Sequence, residues 1–243
     1  MITLNNIKKT FRSKGNKVEA LKGVTLTLPD NGIVILLGES GSGKSTLLNA
    51  LGGLDSYEGS IDYGTERAHG DSINKFDEYR RLNVGYIFQD FYLNDDLSVV
   101  DNIRQGLQIV GITEEAEVKK RTNQALFAVS MSLFKKRLCS QLSLGQKQRI
   151  AIARSLAINP KIILADEPTG NLDSKNSQQI MRILKKISSN MLVVIVSHNE
   201  SLAREYADYI YRIADGSIIK EEKLNNPKTP VNNIQETPLS EVH

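Results

Sequence analysis

One cysteine in 243 residues, Cys139, leaves no pair from which an internal disulfide can form. A chain of this length buries enough surface to fold without a covalent staple, as one large or two modest domains. The opening MITLNNIKKTF lacks the apolar core of a secretory signal, so the lone thiol is expected in a reducing cytoplasm, buried and structural. Long hydrophobic runs are missing too. The longest are short pieces such as Leu192, Val193, Val194, Ile195 and Val196, far below the roughly 20 residues that cross a bilayer, and the chain reads as soluble. Charge of one sign is also scarce: 31 Lys plus Arg against 28 Asp plus Glu give a net +3, which favours neither a dedicated nucleic-acid binder nor a strongly acidic partner. No internal repeat is visible.

What is present is a change of hydrophobic pattern along the chain. Residues 24–28 alternate apolar and polar with period two, and residues 2–7 do so in part, which predicts antiparallel strands with one wet face over the first thirty residues. Residues 33–37, 162–165 and 192–196 are apolar throughout, as expected of parallel strands covered on both faces. Helical patterns follow them at 44–51, 175–188 and 200–206, which gives an α/β architecture with a mostly parallel sheet core. Residues 209–213 and 217–220 flank Asp215 and Gly216, a two-residue loop suited to a type I′ hairpin. Between Phe91 and Gln141 the spacing turns helical at 99–110, 114–129 and 133–138, so a helical insert is expected over about 91–158. From Glu222 onward Asn and Pro replace core-forming residues, so residues 1–221 are expected to form the folded domain and 222–243 a flexible tail or linker.

Gly38, Glu39, Ser40, Gly41, Ser42, Gly43, Lys44 and Ser45 fit G-x-x-x-x-G-K-[ST] between an apolar strand and a helix, with Thr46 just inside that helix. Glycines let the backbone curl so that its N–H groups face the β- and γ-phosphates of a nucleotide, and the helix start adds positive potential. Lys44 would bring a charge to the same phosphates, and the Ser45 hydroxyl would ligate Mg²⁺. Asp166 and Glu167 end a strand expected beside the first, Asp166 holding Mg²⁺ through its hydration shell and Glu167 polarising the attacking water. His198 closes a third strand and is a candidate γ-phosphate sensor, whereas His69 and His243 have no comparable setting.

Further on, Leu142, Ser143, Leu144, Gly145 and Gln146 form a small-residue turn that opens a helix. With Phe11, residues 38–46, Gln89, residues 162–167, the Asn171-Leu172-Asp173 turn and His198, all in order, the chain resembles the ATP-binding subunits of ABC transporters over roughly residues 2–220. That resemblance implies a P-loop ATPase with an N-terminal antiparallel β subdomain and an inserted α-helical subdomain. It implies that Phe11 stacks on adenine, a core Phe being the alternative, and that Gln89 touches Mg²⁺ or the water and hinges the helical insert. It implies that Ser143, Gly145 and Gln146 act in trans on the ATP of a second subunit. Asp173 would link the two sites, or cap a helix, or both. Leu144 departs from the commonest L-S-G-G-Q, trading glycine's freedom for a bulky side chain.

The turn after the acids is most similar to the subgroup serving lipoprotein release and macrolide or antimicrobial-peptide export. The implied function is an ATP-hydrolysing motor, cofactors ATP and Mg²⁺, on the cytoplasmic side of the cell membrane. Its implied partners are a second ATPase subunit, in a homodimer or heterodimer, and a membrane permease, separate or fused after residue 243. A DNA-acting relative would need a long coiled-coil insertion and a ribosomal one a second cassette. With one P-loop and no sustained heptads, no nucleic-acid partner is expected.

Overall fold

The computed structural model describes residues 1–13, 16–64, 67–69 and 73–224. Its centre is a six-stranded sheet in which every strand but the last is parallel. The strands are β3 (Gly32–Leu37), β6 (Val84–Ile87), β7 (Ile162–Asp166), β8 (Leu192–Ser197), β9 (Tyr209–Ala214) and β10 (Ser217–Lys223), in spatial order β10-β9-β3-β8-β7-β6. Continuous apolar runs suit such strands because both faces are covered. Ile33, Ile35, Leu37, Ile163, Ala165, Val193 and Ile195 face a core shared with α5 (Leu144–Ala157), α6 (Ser174–Ile187) and α7 (Glu200–Tyr206). Val34, Leu36, Ile162, Leu164, Val194 and Val196 face a second core against α1 (Lys44–Leu51). That second core is closed by a four-stranded antiparallel sheet, order β2-β1-β4-β5, formed by β1 (Ile2–Ser13), β2 (Asn16–Leu28), β4 (Glu58–Asp62) and β5 (Arg67–His69).

The helical insert is built from α3 (Val99–Ile109) and α4 (Glu115–Ala128) packed on α5. Cys139 sits there fully buried, its Sγ 3.1 Å from the Asn102 amide nitrogen, as a structural thiol. The helix expected over 133–138 does not form. A short 3₁₀ turn, Ser132–Phe134, stands there and a second, Cys139–Gln141, follows; Phe134 packs on the core, but Leu133 is 84% exposed and Leu138 40% exposed, so the apolar spacing does not make a continuous buried face. Residues 52–83 gave no pattern in the sequence. They hold β4, β5 and α2 (Ile73–Asn83), joined to the core by pairing of β4 with β1 and by the stacked rings of Tyr63, Phe76 and Tyr79.

Two further expectations are corrected. The acid-bearing strand β7 does not lie beside β3; β8 stands between them, and nothing in three similar apolar runs orders them in space. The β9–β10 hairpin forms with positive φ at both Asp215 and Gly216, but β10 continues past Lys220 to Lys223, because Glu222 accepts a 2.7 Å bond from Arg212 Nε. Glu222 and Lys223, expected in the tail, are therefore strand residues, and residues 225–243 of the expected tail lie outside the described residues. Among the described residues, no helix is long and apolar enough to cross a membrane.

Ile163 is fully buried at the centre of the sheet. Ile163→Ala is expected to lower unfolding free energy by about 3–4 kcal/mol, read from the urea midpoint at unchanged slope.

Candidate nucleotide and catalytic site

Parallel strands end on one edge of the sheet, and the loops that leave β3, β7 and β8 therefore meet there. The loop after β3 is held from two sides. A Cβ on Gly38 would stand 2.2 Å from the Ile213 carbonyl oxygen, and one on Gly43, at φ 103°, would stand 2.5 Å from that of Ala20. The tight β9–β10 turn buttresses the same loop, the Gly216 N–H donating to the Ser42 carbonyl at 3.0 Å. Gly43 is the N-cap of α1 and provides no side-chain acceptor, so the first N–H groups of that helix are left for an anion. Lys44 is buried, donates from Nζ to the Glu39 carbonyl at 2.6 Å, and has its pKa lowered by burial, against the opposing pull of Glu167 and Asp166. The buried Ser42 Oγ has no hydrogen-bond partner, which marks a polar cradle rather than a packed turn.

Although β8 intervenes, α1 crosses the sheet onto β7 and β8 and carries Ser45 to the acid-bearing strand. The Ser45 hydroxyl donates to Asp166 Oδ1 at 2.9 Å. Burial raises the Asp166 pKa, with Glu167 adding to the rise, while Ser45 and Lys44 oppose it. Glu167 follows with φ 44°, a left-handed conformation that non-glycine residues seldom adopt, and its N–H donates to the Val196 carbonyl at 3.2 Å. The chain thereby turns the Glu167 carboxylate toward the end of β8, where His198 Nδ1 lies 3.0 and 3.1 Å from its two oxygens. This pairing was not legible in the sequence, because the two residues lie 31 positions apart.

Lys44, Ser45, Asp166, Glu167 and His198 are thus gathered at one edge, and the other predicted residues stand around them. Gln89, two residues past β6, is exposed, and its carbonyl accepts from Asn171 Nδ2 at 3.4 Å. Phe11, on β1, is 45% exposed rather than a core residue, with Lys9 Nζ 5.0 Å from its ring centroid. Asp173 is the N-cap of α6, accepting from the Asn176 N–H at 2.9 Å and from its amide at 2.6 Å, bonds that hold its carboxyl below the usual range.

Ser143 caps α5 in a reciprocal pair with Gln146: the Gln146 N–H donates to Ser143 Oγ at 3.4 Å and Gln146 Oε1 accepts from the Ser143 N–H at 3.0 Å. A Cβ on Gly145 would meet Asn176 Oδ1 at 2.6 Å, so this turn packs on α6 through the residue that Asp173 holds. Asn176 is a site-shaping residue the sequence reading missed; its spacing of three from an N-cap acid was the available signal. Leu144 is the first helical residue and 53% exposed. Its backbone needs no glycine freedom there, and the cap on either side is intact. Among the described residues, Ser143, Gly145 and Gln146 make no hydrogen bond to the loop after β3.

A phosphate cradle, a hydroxyl and a carboxylate fit for a metal, and a paired Glu and His define a P-loop nucleotide-hydrolysing fold. A family model described as ABC transporter matches residues 21–170, and the chain belongs to that family as an ATP-binding, ATP-hydrolysing cassette. It is 38% identical over 231 residues to MJ0796, an uncharacterized ABC transporter ATP-binding protein of Methanocaldococcus jannaschii, covering 92% of this chain and 97% of that one. It is 37% identical to the lipoprotein-releasing system ATP-binding protein LolD of Francisella tularensis subsp. holarctica, covering 90% of this chain and 95% of LolD. To the macrolide export ATP-binding/permease protein MacB of Chlorobaculum tepidum it is 36% identical over 95% of this chain but only 36% of MacB. Among solved structures, the dimeric post-hydrolysis state of the MJ0796 cassette bound to ADP and Pi matches with a TM-score of 0.83 at 37% identity, covering 93% of this chain and all of that one.

Because burial raises the Asp166 pKa, the folded chain holds this proton more tightly than the unfolded chain does. The carboxylate's cost to stability is absent well below the ordinary value of 3.8 and grows as pH rises through the folded-state value. Asp166→Asn is therefore expected to raise the Tm of the nucleotide-free chain at pH 7, with the gain shrinking toward zero as pH approaches 3. A lower Tm at pH 7 would contradict this.

Proposed function

We propose that the chain is the ATP-hydrolysing motor subunit of a transporter, and that its ATP sites are completed only between two subunits. The observation that carries this reading is the gathering of Lys44, Ser45, Asp166, Glu167 and His198 at one sheet edge. In it, backbone N–H groups of residues 38–46 cradle the phosphates and Lys44 exchanges its bond to the Glu39 carbonyl for the β- and γ-phosphate oxygens. Phe11, with its exposed ring, stacks on adenine. Glu167 accepts a proton from the attacking water, and His198, bonded to it, keeps that carboxylate in place and reaches the γ-phosphate.

The donor set fits magnesium. Ser45 and Asp166 offer hard oxygen atoms 2.9 Å apart. Magnesium takes few protein ligands and fills its shell with phosphate and water oxygens. Ser45, Asp166 and Gln89 would hold it, and when bound it supplies charge compensation at the β- and γ-phosphate oxygens.

Ser143, Gly145 and Gln146 make no hydrogen bond, among the described residues, to the loop after β3. They sit at the start of α5, where N–H groups and the helix dipole favour an anion, and in this reading they close on the ATP held by a partner subunit, with Asp173 beside them. The subunit would be a homodimer half or a heterodimer half, and the solved MJ0796 cassettes are described as dimeric. Closure would pass through the helical insert to an integral membrane permease, encoded separately or fused beyond residue 243, with the cassette on the cytoplasmic side of the membrane. The likeness to LolD and MacB points to a peptide, lipoprotein or drug-like substrate that is exported or extracted.

Glu167→Gln is expected to lower ATP turnover by about 100-fold or more while ATP affinity changes little. Turnover at the normal rate would remove Glu167 from the base role, and turnover stimulated by nucleic acid would count against the transporter. Chelating Mg²⁺ with EDTA is expected to stop hydrolysis; unaltered hydrolysis would exclude the metal role of Ser45 and Asp166.

A further inference from the structure

Away from the phosphate loop, Arg212 stands at the centre of an ion-pair network. Its guanidinium donates from Nη1 and Nη2 to the two carboxylate oxygens of Glu200, at 2.9 and 2.5 Å, and from Nε to Glu222 at 2.7 Å. Arg204 Nε adds a 2.8 Å contact to Glu200. Glu222 is only 14% exposed, and the bidentate geometry fixes direction as well as distance, unlike a loose surface ion pair.

The place of this network in the fold matters more than its energy. Glu200 is the first residue of α7, a helix of seven residues that is too short to hold its own register. Asn199 is the N-cap, accepting from the Leu202 N–H at 3.0 Å and donating from its own N–H to Ser197 Oγ at 3.0 Å. His198 lies between these anchored positions. It is 64% exposed, and its ring pairs with the Glu167 carboxylate. With most of the ring exposed, its position depends on the backbone from Ser197 to Glu200. On its other side Arg212 pairs with Leu37, the last residue of β3, and the next carbonyl, that of Ile213, is the one Gly38 can approach only because it lacks a Cβ. A single stretch of β9 therefore touches both the base of the phosphate loop and the turn that carries His198.

We infer that Arg212 is a positioning residue for hydrolysis: by clamping Glu200 it fixes the turn bearing His198, and with it the Glu167 carboxylate, relative to the phosphate loop. The inference rests on the catalytic reading of Glu167 and His198 given above. Its effect falls on turnover rather than on ATP binding, because the Arg212 side chain bonds to Glu200 and Glu222, and the base of the phosphate loop is held by the β9 backbone, which the substitution leaves in place. Reacting groups lose rate steeply with small displacements, whereas the phosphate contacts made by residues 38–46 are left intact.

The test is a double-mutant cycle on steady-state ATP turnover of the full chain, with Tm and ATP KM measured alongside. Arg212→Gln is expected to lower kcat about 5- to 10-fold with KM unchanged, and Glu200→Gln, which opens the same clamp from the helix side, to act in the same direction. In a His198→Ala background the further loss from Arg212→Gln is expected to fall below about 2-fold, since the residue through which it acts is gone. If Arg212→Gln and Glu200→Gln lower only Tm and leave kcat at the wild-type value, the inference is overturned. It is overturned equally if Arg212→Gln lowers kcat by the same factor with and without His198. If His198→Ala alone leaves kcat unchanged, the catalytic reading of His198 falls first and takes the inference with it.

Discussion

The hydrogen bond between the Ser45 hydroxyl and the Asp166 carboxylate joins residues 121 positions apart across a strand that separates their parent strands. It can form because α1 leaves the end of β3 and crosses over β8 onto β7. That crossing requires a sheet apolar on both faces, with α1 and the antiparallel sheet on one side and α5, α6 and α7 on the other. It also requires a loop that can bend sharply against Ile213 and Ala20, which is why Gly38 and Gly43 stand where a Cβ has no room. The site is thus a consequence of how the two cores are closed, and not a feature added to them.

The same closeness works against stability. Lys44 is buried with its pKa lowered by burial, Asp166 has its pKa raised by burial, and Glu167 holds a left-handed backbone. Each is a local cost in the nucleotide-free chain and each lies where phosphate, metal or water would act. Strain and desolvation sit at the convergence of the loops, while the strands beneath them carry runs of Val, Ile, Leu and Ala.

Much of this was legible from the residues. The apolar runs marked β3, β7 and β8, and the patterns at 44–51 and 200–206 coincide with α1 and α7, because apolar spacing is a local signal present in the sequence itself. The order of the strands was not legible, since three short runs of the same composition carry no information about neighbours. The segment around β4, β5 and α2 was missed because its stability comes from pairing with β1 and from a ring cluster formed by Tyr63, Phe76 and Tyr79, contacts invisible to a local window. Of the site residues, those within one motif were readable. The Glu167–His198 pair, the Asn176 contact with Gly145 and the buttress of Gly216 on Ser42 depend on loops meeting in space. Leu144 looked anomalous beside the commonest pattern, yet as an exposed first helical residue it leaves the Ser143–Gln146 cap whole.

On this reading the stretch from Ser143 to Asp173 serves two different nucleotides, Asp166 and Glu167 acting within the chain and Ser143 and Gly145 acting on a partner. Light scattering on the Glu167→Gln chain, with ATP titrated by a fluorescent analogue, separates the two roles. Adding Ser143→Arg should leave the nucleotide affinity of the monomer unchanged and abolish the ATP-dependent rise to dimer mass. If that variant still doubles its mass with ATP, or if its monomer loses nucleotide affinity, Ser143 does not act across the interface and the account of a shared site is wrong.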